Sequence, residues 1–364
     1  MNRRQLFVGG GAVVLGGAGI AGASLLQMGS NDDYDAAVAS TRAELSRNPS
    51  IPDLLRFATL AANGHNTQPW KFRVTDRAID ILADIARRTP VVDPDDHHLF
   101  ASLGCAAENL AIAGAARGWA GEISYDAGNS DAVRFTFDRS RVVTSSAMFD
   151  AIPRRQSTRA MFDGRSASAA DLSSLAAAAA IPGVDLVLVT DRKQIGRVSD
   201  LVATGNSEQM NDPAFMHELK QWLRFNPRQA LGAGDGLYSV ASGKPKLPAW
   251  FGSIMVDRFM SAKSENAKYV AQLQSSAGVA IFVSQRADKD HWVRAGRACQ
   301  RFALQATALG LKHAFVNQPV EVAHLRPELA ALVGMKGRRP DLVMRFGFGP
   351  TLPFSARRPP TIVA

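Results

Sequence analysis

The chain has 364 residues, 46% hydrophobic and 21% charged, which is enough to bury one large core or two modest ones and excludes wholesale disorder. The net charge of +9 is scattered as single and paired Lys and Arg with no aromatic-studded basic run, which argues against nucleic acid and for local anion sites on a basic surface. Cys105 and Cys299, the two cysteines, each fall in an Ala-rich helical pattern and read as buried free thiols; no Cys/His spacing of metal type exists.

The first thirty residues read as an address. Arg3-Arg4 precedes a run from Leu6 to Leu26 without a charge, the charged and apolar regions of an export signal. The arginine pair, Leu6-Phe7 and the Gly-rich run look like a twin-arginine signal. That implies the twin-arginine export machinery as a partner and a periplasmic destination. Ala21-Gly22-Ala23 offers a cleavage site, and the run is also long enough to stay as a membrane tether. Gly17 to Gly22 spells G-x-G-x-x-G, but no strand precedes it and no βαβ unit surrounds it, so a dinucleotide fold is rejected.

Further along, 33–47 and 52–62 pattern as helices, and 70–74 with 79–84 as a hairpin. Residues 97–118 read as an Ala-rich helix ending at Gly118, followed by strands at 122–125 and 133–138. A helix within 168–180 opens with a Ser168/Asp171 capping box, and a strand follows at 184–190. Next come a helix at 214–225, a stretch at 226–250 with few regular signals, a strand at 278–284, a helix at 291–309 and strands at 312–316 and 342–348. "GCAAENLAIAGAARG" (104–118) and "GRACQRFALQATALG" (296–310) share length, bounding glycines and apolar spacing, which suggests a unit duplicated about 190 residues apart.

Two stretches carry unusual chemistry. "NGHNTQPWKF" (63–72) crowds amide, imidazole and indole groups into one turn-rich loop between a helix and a strand. "IPRRQSTRAMF" (152–162) sets Arg155, Ser157 and Arg159 at alternate positions, so that in an extended backbone they face one way. Such a cluster suits a phosphate, and a solvated basic patch is an equal reading of it alone. "DPDDHH" (93–98) tempts as a metal site. Adjacent histidines on a helix diverge, however, and an acidic first turn that suits the helix dipole is preferred, so no metal is expected. His65 reads as a hydrogen-bonding loop residue and Trp70 as core.

Together the two stretches resemble motifs of the nitroreductase superfamily. "RQSTRAMF" is similar to its R-x-S-T-[KR]-x-F opening, and "NGHNTQPWKF" to its S-x-x-N-x-Q-P-W-x-F loop. The resemblance implies an α+β nitroreductase-like fold and FMN as cofactor. In the family, the first motif holds the phosphate and ribityl chain while the second reaches the flavin from the partner subunit. Here the motifs occur in reversed order and once each, with no Q-P-W near 255–265. A fused tandem pair accounts for this: a signal segment at 1–30, an N-terminal half at 31–150 and a C-terminal half at 151–364, forming an intramolecular pseudo-dimer with one flavin site. The resemblance then assigns the phosphate to Arg155, Ser157, Arg357 and Arg358, the last two from the closing "GFGPTLPFSARRPP". Flavin N1 falls to Arg159, and the other face of the cofactor to Asn63, Gly64, Asn66 and Gln68. Asn317, in "HAFVNQP", stands where the family often has Glu-Gly beside N5. The implied activity is two-electron reduction of electron-poor small molecules, nitroaromatics or quinones, with NAD(P)H, a quinol or a protein as donor. Flavin sequestration without turnover is the alternative.

Overall fold

The structure, a computed structural model, describes residues 28–128, 131–139 and 143–364. The segment read from sequence as an export signal, with its arginine pair and candidate cleavage site, lies outside the described residues.

The N-terminal sheet grows from local signals. Ser50 and Asp53 close a capping box on the helix Ile51–Thr59, with Pro52 in its first turn. The hairpin of β1 (Trp70–Val74) and β2 (Ala78–Ala83) follows in the register Trp70 to Ala83. The long helix His97–Ala115 then crosses behind the sheet to β3 (Ala120–Asp126) and β4 (Ala132–Asp138), giving the antiparallel order β1-β2-β4-β3. Trp70 and Phe72 face the core between more exposed neighbours, the alternation of a strand covered on one side.

The second sheet repeats that plan. After the helix Ala169–Ala178, capped by Ser168 and Asp171, come β5 (Val184–Val189), β6 (Leu223–Arg224), β7 (Leu237–Tyr238), β8 (Gly278–Ser284), β9 (Lys312–Phe315) and β10 (Pro340–Gly347). Of these, β5, β8, β10 and β9 form an antiparallel sheet in that order, with the helix Lys289–Ala308 behind it. Strands β5, β8, β10 and β9 correspond in order and direction to β1, β2, β4 and β3. β11 (Ile362–Val363) is the exception to segregation: the C-terminal tail crosses over and pairs parallel with β1 on the first sheet.

One connection differs greatly. A turn at 75–77 joins β1 to β2, whereas residues 190–277 intervene between β5 and β8. They contain the helices Arg192–Asn211, Pro213–Gln221, Pro227–Ala233, Ala249–Phe259 and Ala262–Gln274. Of these, the sequence pattern reveals only Pro213–Gln221, read as 214–225. Arg192–Asn211 buries Ile195, Val198 and Val202 at helical spacing, but Gly196, Gly205 and its polar majority dilute the signal.

The two long helices cross at their matched glycines. A Cβ on Gly104 would lie 2.0 Å from the Val293 carbonyl oxygen, and one on Gly296 1.9 Å from that of Ala101. Nearby, Glu108 bonds Arg301 at 2.8 Å on one side of the crossing, and Gln300 bonds Asn109 at 2.7 Å on the other. With 104 matched to 296, 101 matches 293 and the two polar pairs exchange places. The contact is therefore isologous in position, as across a two-fold axis.

Candidate functional site

The 63–68 loop is held under strain. Among the described non-Gly residues only five have positive φ, and His65, Asn66 and Gln68 are three of them. Such conformations cost about 1–3 kcal/mol each and persist only where surroundings enforce them. Here the loop's own amides do the enforcing. Asn63 Oδ1 accepts from Gln68 N, Asn66 Nδ2 donates to the Gly236 and Ala356 carbonyls, and Gln68 Nε2 donates to that of Gly234. From the tail, Arg357 donates to Asn66 Oδ1 at 2.6 Å and Arg358 N to Gln68 Oε1. The loop's polar density thus locks the C-terminal tail and the 234–236 turn onto the first half.

The second motif runs beside β9, with Thr158 N bonding the His313 carbonyl and Ser157 bridging His313. Fully buried Arg345 donates to the carbonyls of Thr158 and Ala160, while Gln272 donates to that of Arg159. This positions Arg159 from both sides. Its guanidinium has no hydrogen-bond or ion-pair partner among the described residues, and burial lowers its pKa.

A cavity of about 470 Å³ lies between the halves, within the size range of cofactor pockets. Ala62 to His65, His98, Ser102 and Cys105 of the first half line it, together with Arg159, Phe315, Asn317, Gln318 and Glu321 of the second. The 190–277 segment closes it with Gln209, Phe225, Lys244, Met255, Val256, Phe259, Lys268 and Tyr269. Its lining mixes charged and amide side chains with aliphatic and aromatic ones, which suits an amphipathic ligand.

The titratable groups share one bias. Burial, with Arg159 and His98 adding to it, pushes His65 down to about 4, so it is neutral at pH 7. Burial raises the Glu321 carboxyl, which accepts from Gln209 Nε2 at 2.7 Å, and lowers the Lys268 ammonium. Gln318 Oε1 is buried without a hydrogen-bond partner.

Of the ten residues assigned to the flavin from sequence, Asn63, Gly64, Arg159 and Asn317 meet at this cavity. Asn317 also accepts from Val343 N through its Oδ1. Asn66, Gln68, Arg155, Ser157, Arg357 and Arg358 lie outside its lining. Arg155, 2% exposed, donates to the Leu60 carbonyl, and Arg357 to those of Thr59 and Ala61, so both guanidiniums meet the C-terminal end of the helix Ile51–Thr59. Neither has a carboxylate partner among the described residues. Burial pulls Arg155 down to about 10 and Arg357, repelled also by Arg155, to about 9. Arg155 Nε is without a hydrogen-bond partner.

His98, Gln209, Lys268, Gln318 and Glu321 were not assigned to the site from sequence; most belong to segments whose place depends on the long insertion. The two histidines of "DPDDHH" do not diverge. Both rings are buried and reach Asp341, His97 through its carboxylate at 3.0 Å and His98 through its carbonyl. The helix's own first turn holds no acid, contrary to the sequence expectation; instead Asp93, upstream of the N-cap residue Asp96, accepts from His98 N and Leu99 N.

No protein-family model matches the sequence. The chain is 26% identical over 305 residues to a Mycobacterium tuberculosis (strain H37Rv) protein provisionally named an NAD(P)H nitroreductase, covering 83% of this chain and 86% of that one. Over 76 residues it is 37% identical to a 4-nitrobenzoate reductase of Pseudomonas putida, covering 18% of this chain and 34% of that protein. The chain is nitroreductase-like in sequence. Among solved structures it is similar to a nitroreductase with bound FMN from Desulfitobacterium hafniense, with a TM-score of 0.36 and 16% identity, covering 61% of this chain and 96% of that one. It is likewise similar to an FMN-dependent nitroreductase from Mycobacterium smegmatis in complex with NADPH, with a TM-score of 0.37 and 13% identity, covering 56% and 87%.

Proposed function

We propose that the chain is an FMN-dependent oxidoreductase of nitroreductase type whose one flavin site lies between two fused halves, residues 31–150 and 151–364. The observation that carries this is the meeting of Asn63 and Gly64 with Arg159 and Asn317 around one cavity, across a helix crossing that is isologous in position. The 26% identity to an NAD(P)H nitroreductase over most of both chains supports the reaction class.

The residues present fit FMN. Arg159 brings an unpaired cation to the cavity, and the orphaned Gln318 Oε1 could accept from a donor such as a ring N–H. Arg155 and Arg357 form a buried cationic pair with no acid beside it, so a phosphate there would relieve a standing electrostatic cost. Bound FMN supplies two-electron transfer between a donor and an electron-poor acceptor. The chain orients and tunes. Asn63 and Gly64 would bound the ring and Arg159 would favour negative charge on it, while Ser157 and Arg358, outside the cavity lining, are assigned to the phosphate by the resemblance alone. Burial favours the protonated form of Glu321, which lines the cavity and would be the group to pass a proton to a reduced acceptor.

Export by the twin-arginine route belongs to the same reading, since that route carries folded, cofactor-loaded proteins to the periplasm. The donor there is a quinol or protein, and in the cytoplasm NAD(P)H. Replacing Arg3 and Arg4 together by Lys is expected to strand the folded protein in the cytoplasm; normal periplasmic recovery would remove export from the proposal.

Flavin released by acid from purified protein is expected at one FMN per chain. A ratio near two, or FAD, would overturn the fused-site reading. Sequestration without turnover is the second reading, favoured because the helix Ala249–Phe259 walls the cavity and Asn317 Oδ1 is already engaged. Reduction by dithionite but not by NADPH or a quinol would select it.

A further inference from the structure

The helix Ala249–Phe259 is apolar on two sides. Gly252, Met255 and Val256 face the cavity, and Gly252 packs so close to Phe225 that a Cβ there would meet its ring at 2.4 Å. Away from the cavity, Trp250 is 57% exposed, Phe251 37% and Ile254 47%; Phe259, which also lines the cavity, is 67% exposed. Trp250, Ile254 and Arg258 follow one another at four-residue spacing and so share a stripe. Trp250 and Phe251 pair edge to face at 5.6 Å. Nothing among the described residues covers this stripe.

Two observations say what does. The first is charge. Lys246, Arg258 and Lys263 are exposed around the helix without a carboxylate partner among the described residues, while the one exposed acid on the helix, Asp257, is held by Lys220 at 2.8 Å. Aromatic and aliphatic side chains ringed by cations are the composition of a helix lying in a lipid interface. The second is where the chain enters. Leu6 to Leu26 carry no charge, and the described structure begins at Met28, whose carbonyl accepts from Arg228 N at 2.9 Å. Three residues away, the Phe225 carbonyl accepts from Leu247 N, and Asn226 Nδ2 donates to the Leu247 carbonyl, just before the exposed helix. Met28, where the described residues begin, is thus bonded to the same 225–228 turn that holds Leu247 ahead of the exposed helix. No helix among the described residues is long and apolar enough to cross a membrane, so this helix would lie on a surface and not span it.

We infer that the helix Ala249–Phe259 docks on an anionic lipid bilayer. Trp250, Phe251, Ile254 and Phe259 enter the headgroup boundary, and Lys246, Arg258 and Lys263 meet lipid phosphates. One helix then has the membrane on one side and the cavity on the other, which gives a lipid-dissolved acceptor or donor a short path. The docking does not depend on flavin or turnover, so its failure and that of the proposed function are distinguishable.

The test places the full chain with vesicles of phosphatidylcholine and phosphatidylglycerol carrying brominated acyl chains, which quench tryptophan at the interface. Strong quenching is expected, falling by more than half in Trp250→Phe, since Trp70 and Trp292 are buried and Trp119 and Trp222 half-buried. Reversing Lys246, Arg258 and Lys263 to Glu is expected to remove the same component while leaving the protein folded. Equal quenching with and without Trp250, or vesicle binding through the N-terminal run with Trp250 unquenched, overturns the inference. So does self-association without lipid that Trp250→Ser with Ile254→Ser abolishes, because the stripe would then be a contact between copies.

Discussion

The two sheets share strand order and direction but not their covering, and that contrast explains where the cavity lies. β1 and β2 pack one face against helices, so WKFRV alternates between buried and partly exposed residues. β8 and β10 are buried at every residue, with Phe282 and Met344 facing the long helix Lys289–Ala308 and Val279, Ile281 and Val343 facing the helix Arg192–Asn211. The residues between β5 and β8 supply that second cover and then the wall of the cavity. The loops before the first strand of each sheet differ as well. Residues 60–69 carry the strained amide-rich turn, while their topological counterpart, 179–183, reads Ala-Ala-Ile-Pro-Gly. A constant offset of about 190 residues would look for that counterpart near 255–265, inside the insertion. The strained loop thus belongs to the first sheet and the basic motif to the second, and residues of both line the same cavity.

The largest expected effect is at the crossing. Gly104→Ala and Gly296→Ala each push a methyl into backbone at 2.0 and 1.9 Å, which no rotamer change relieves. Each is expected to cost about 3 kcal/mol or more in urea unfolding. Similar costs for the two support an axis through the helix pair. A cost at Gly104 several times that at Gly296 would break the symmetry.

Next is the grip of the second half on the first. Arg155 is a buried cation beside Arg357, and its own guanidinium has one hydrogen-bond partner among the described residues, the Leu60 carbonyl, so Arg155→Met should leave the apo protein as stable or about 1 kcal/mol more stable. FMN binding should weaken by about 1.5–3 kcal/mol, the scale of a lost charge-assisted bond. From sequence, Arg155 would touch ligand and not core; its burial makes the stability arm of the test informative. Lower stability with unchanged FMN affinity would make Arg155 a cap for the helix Ile51–Thr59 and nothing more.

How far the sequence foretold this varies with the range of the signal. The β1–β2 hairpin, both long helices and the Ser168/Asp171 cap follow from local periodicity and hydrogen-bond chemistry, and they fall close to where the pattern puts them. The matched glycines were visible as punctuation of two similar segments, and their use as a close crossing is tertiary information. The site was half legible. Unusual residue types marked the loop and the basic motif. Yet whether Asn66 faces a ligand or the tail depends on residues 290 positions away, which no local pattern encodes. The helix Ala249–Phe259 escaped because it follows Pro-Lys-Leu-Pro and is apolar on two sides, which blurs a helical stripe.

A smaller effect separates the strained loop from its bland counterpart. Unfolded His65 titrates near the ordinary histidine value of 6.5 and folded His65 at about 4, so between these the unfolded state holds more protons. Stability should therefore fall as pH drops through that window and level off below it. Because the side chain is half-buried, solvent screening limits this share to on the order of 2 kcal/mol. Asn tolerates the left-handed backbone at 65 and does not titrate. His65→Asn should lose less stability than the parent between pH 7 and pH 4.5; an identical loss would move the acid sensitivity to His98 and His313, which burial also depresses.

The smallest effect tests how far the two sides of the crossing are interchangeable. Glu108 is buried and bonds Arg297 and Arg301, whereas the matched position on the other side, Gln300, pairs neutrally with Asn109. Glu108→Gln alone leaves two guanidiniums facing a neutral amide and should cost about 2 kcal/mol. Adding Arg301→Asn copies the neutral pair to the charged side. The desolvation cost of the ion pair is then gone along with its attraction, and Arg297, about a quarter exposed, can turn to water. The double variant should lie within about 1 kcal/mol of the parent, so the pair couples strongly and non-additively. If the double variant instead loses the sum of the two single costs, the crossing is symmetric in backbone only. The charged side would then hold the halves together in a way the neutral side cannot.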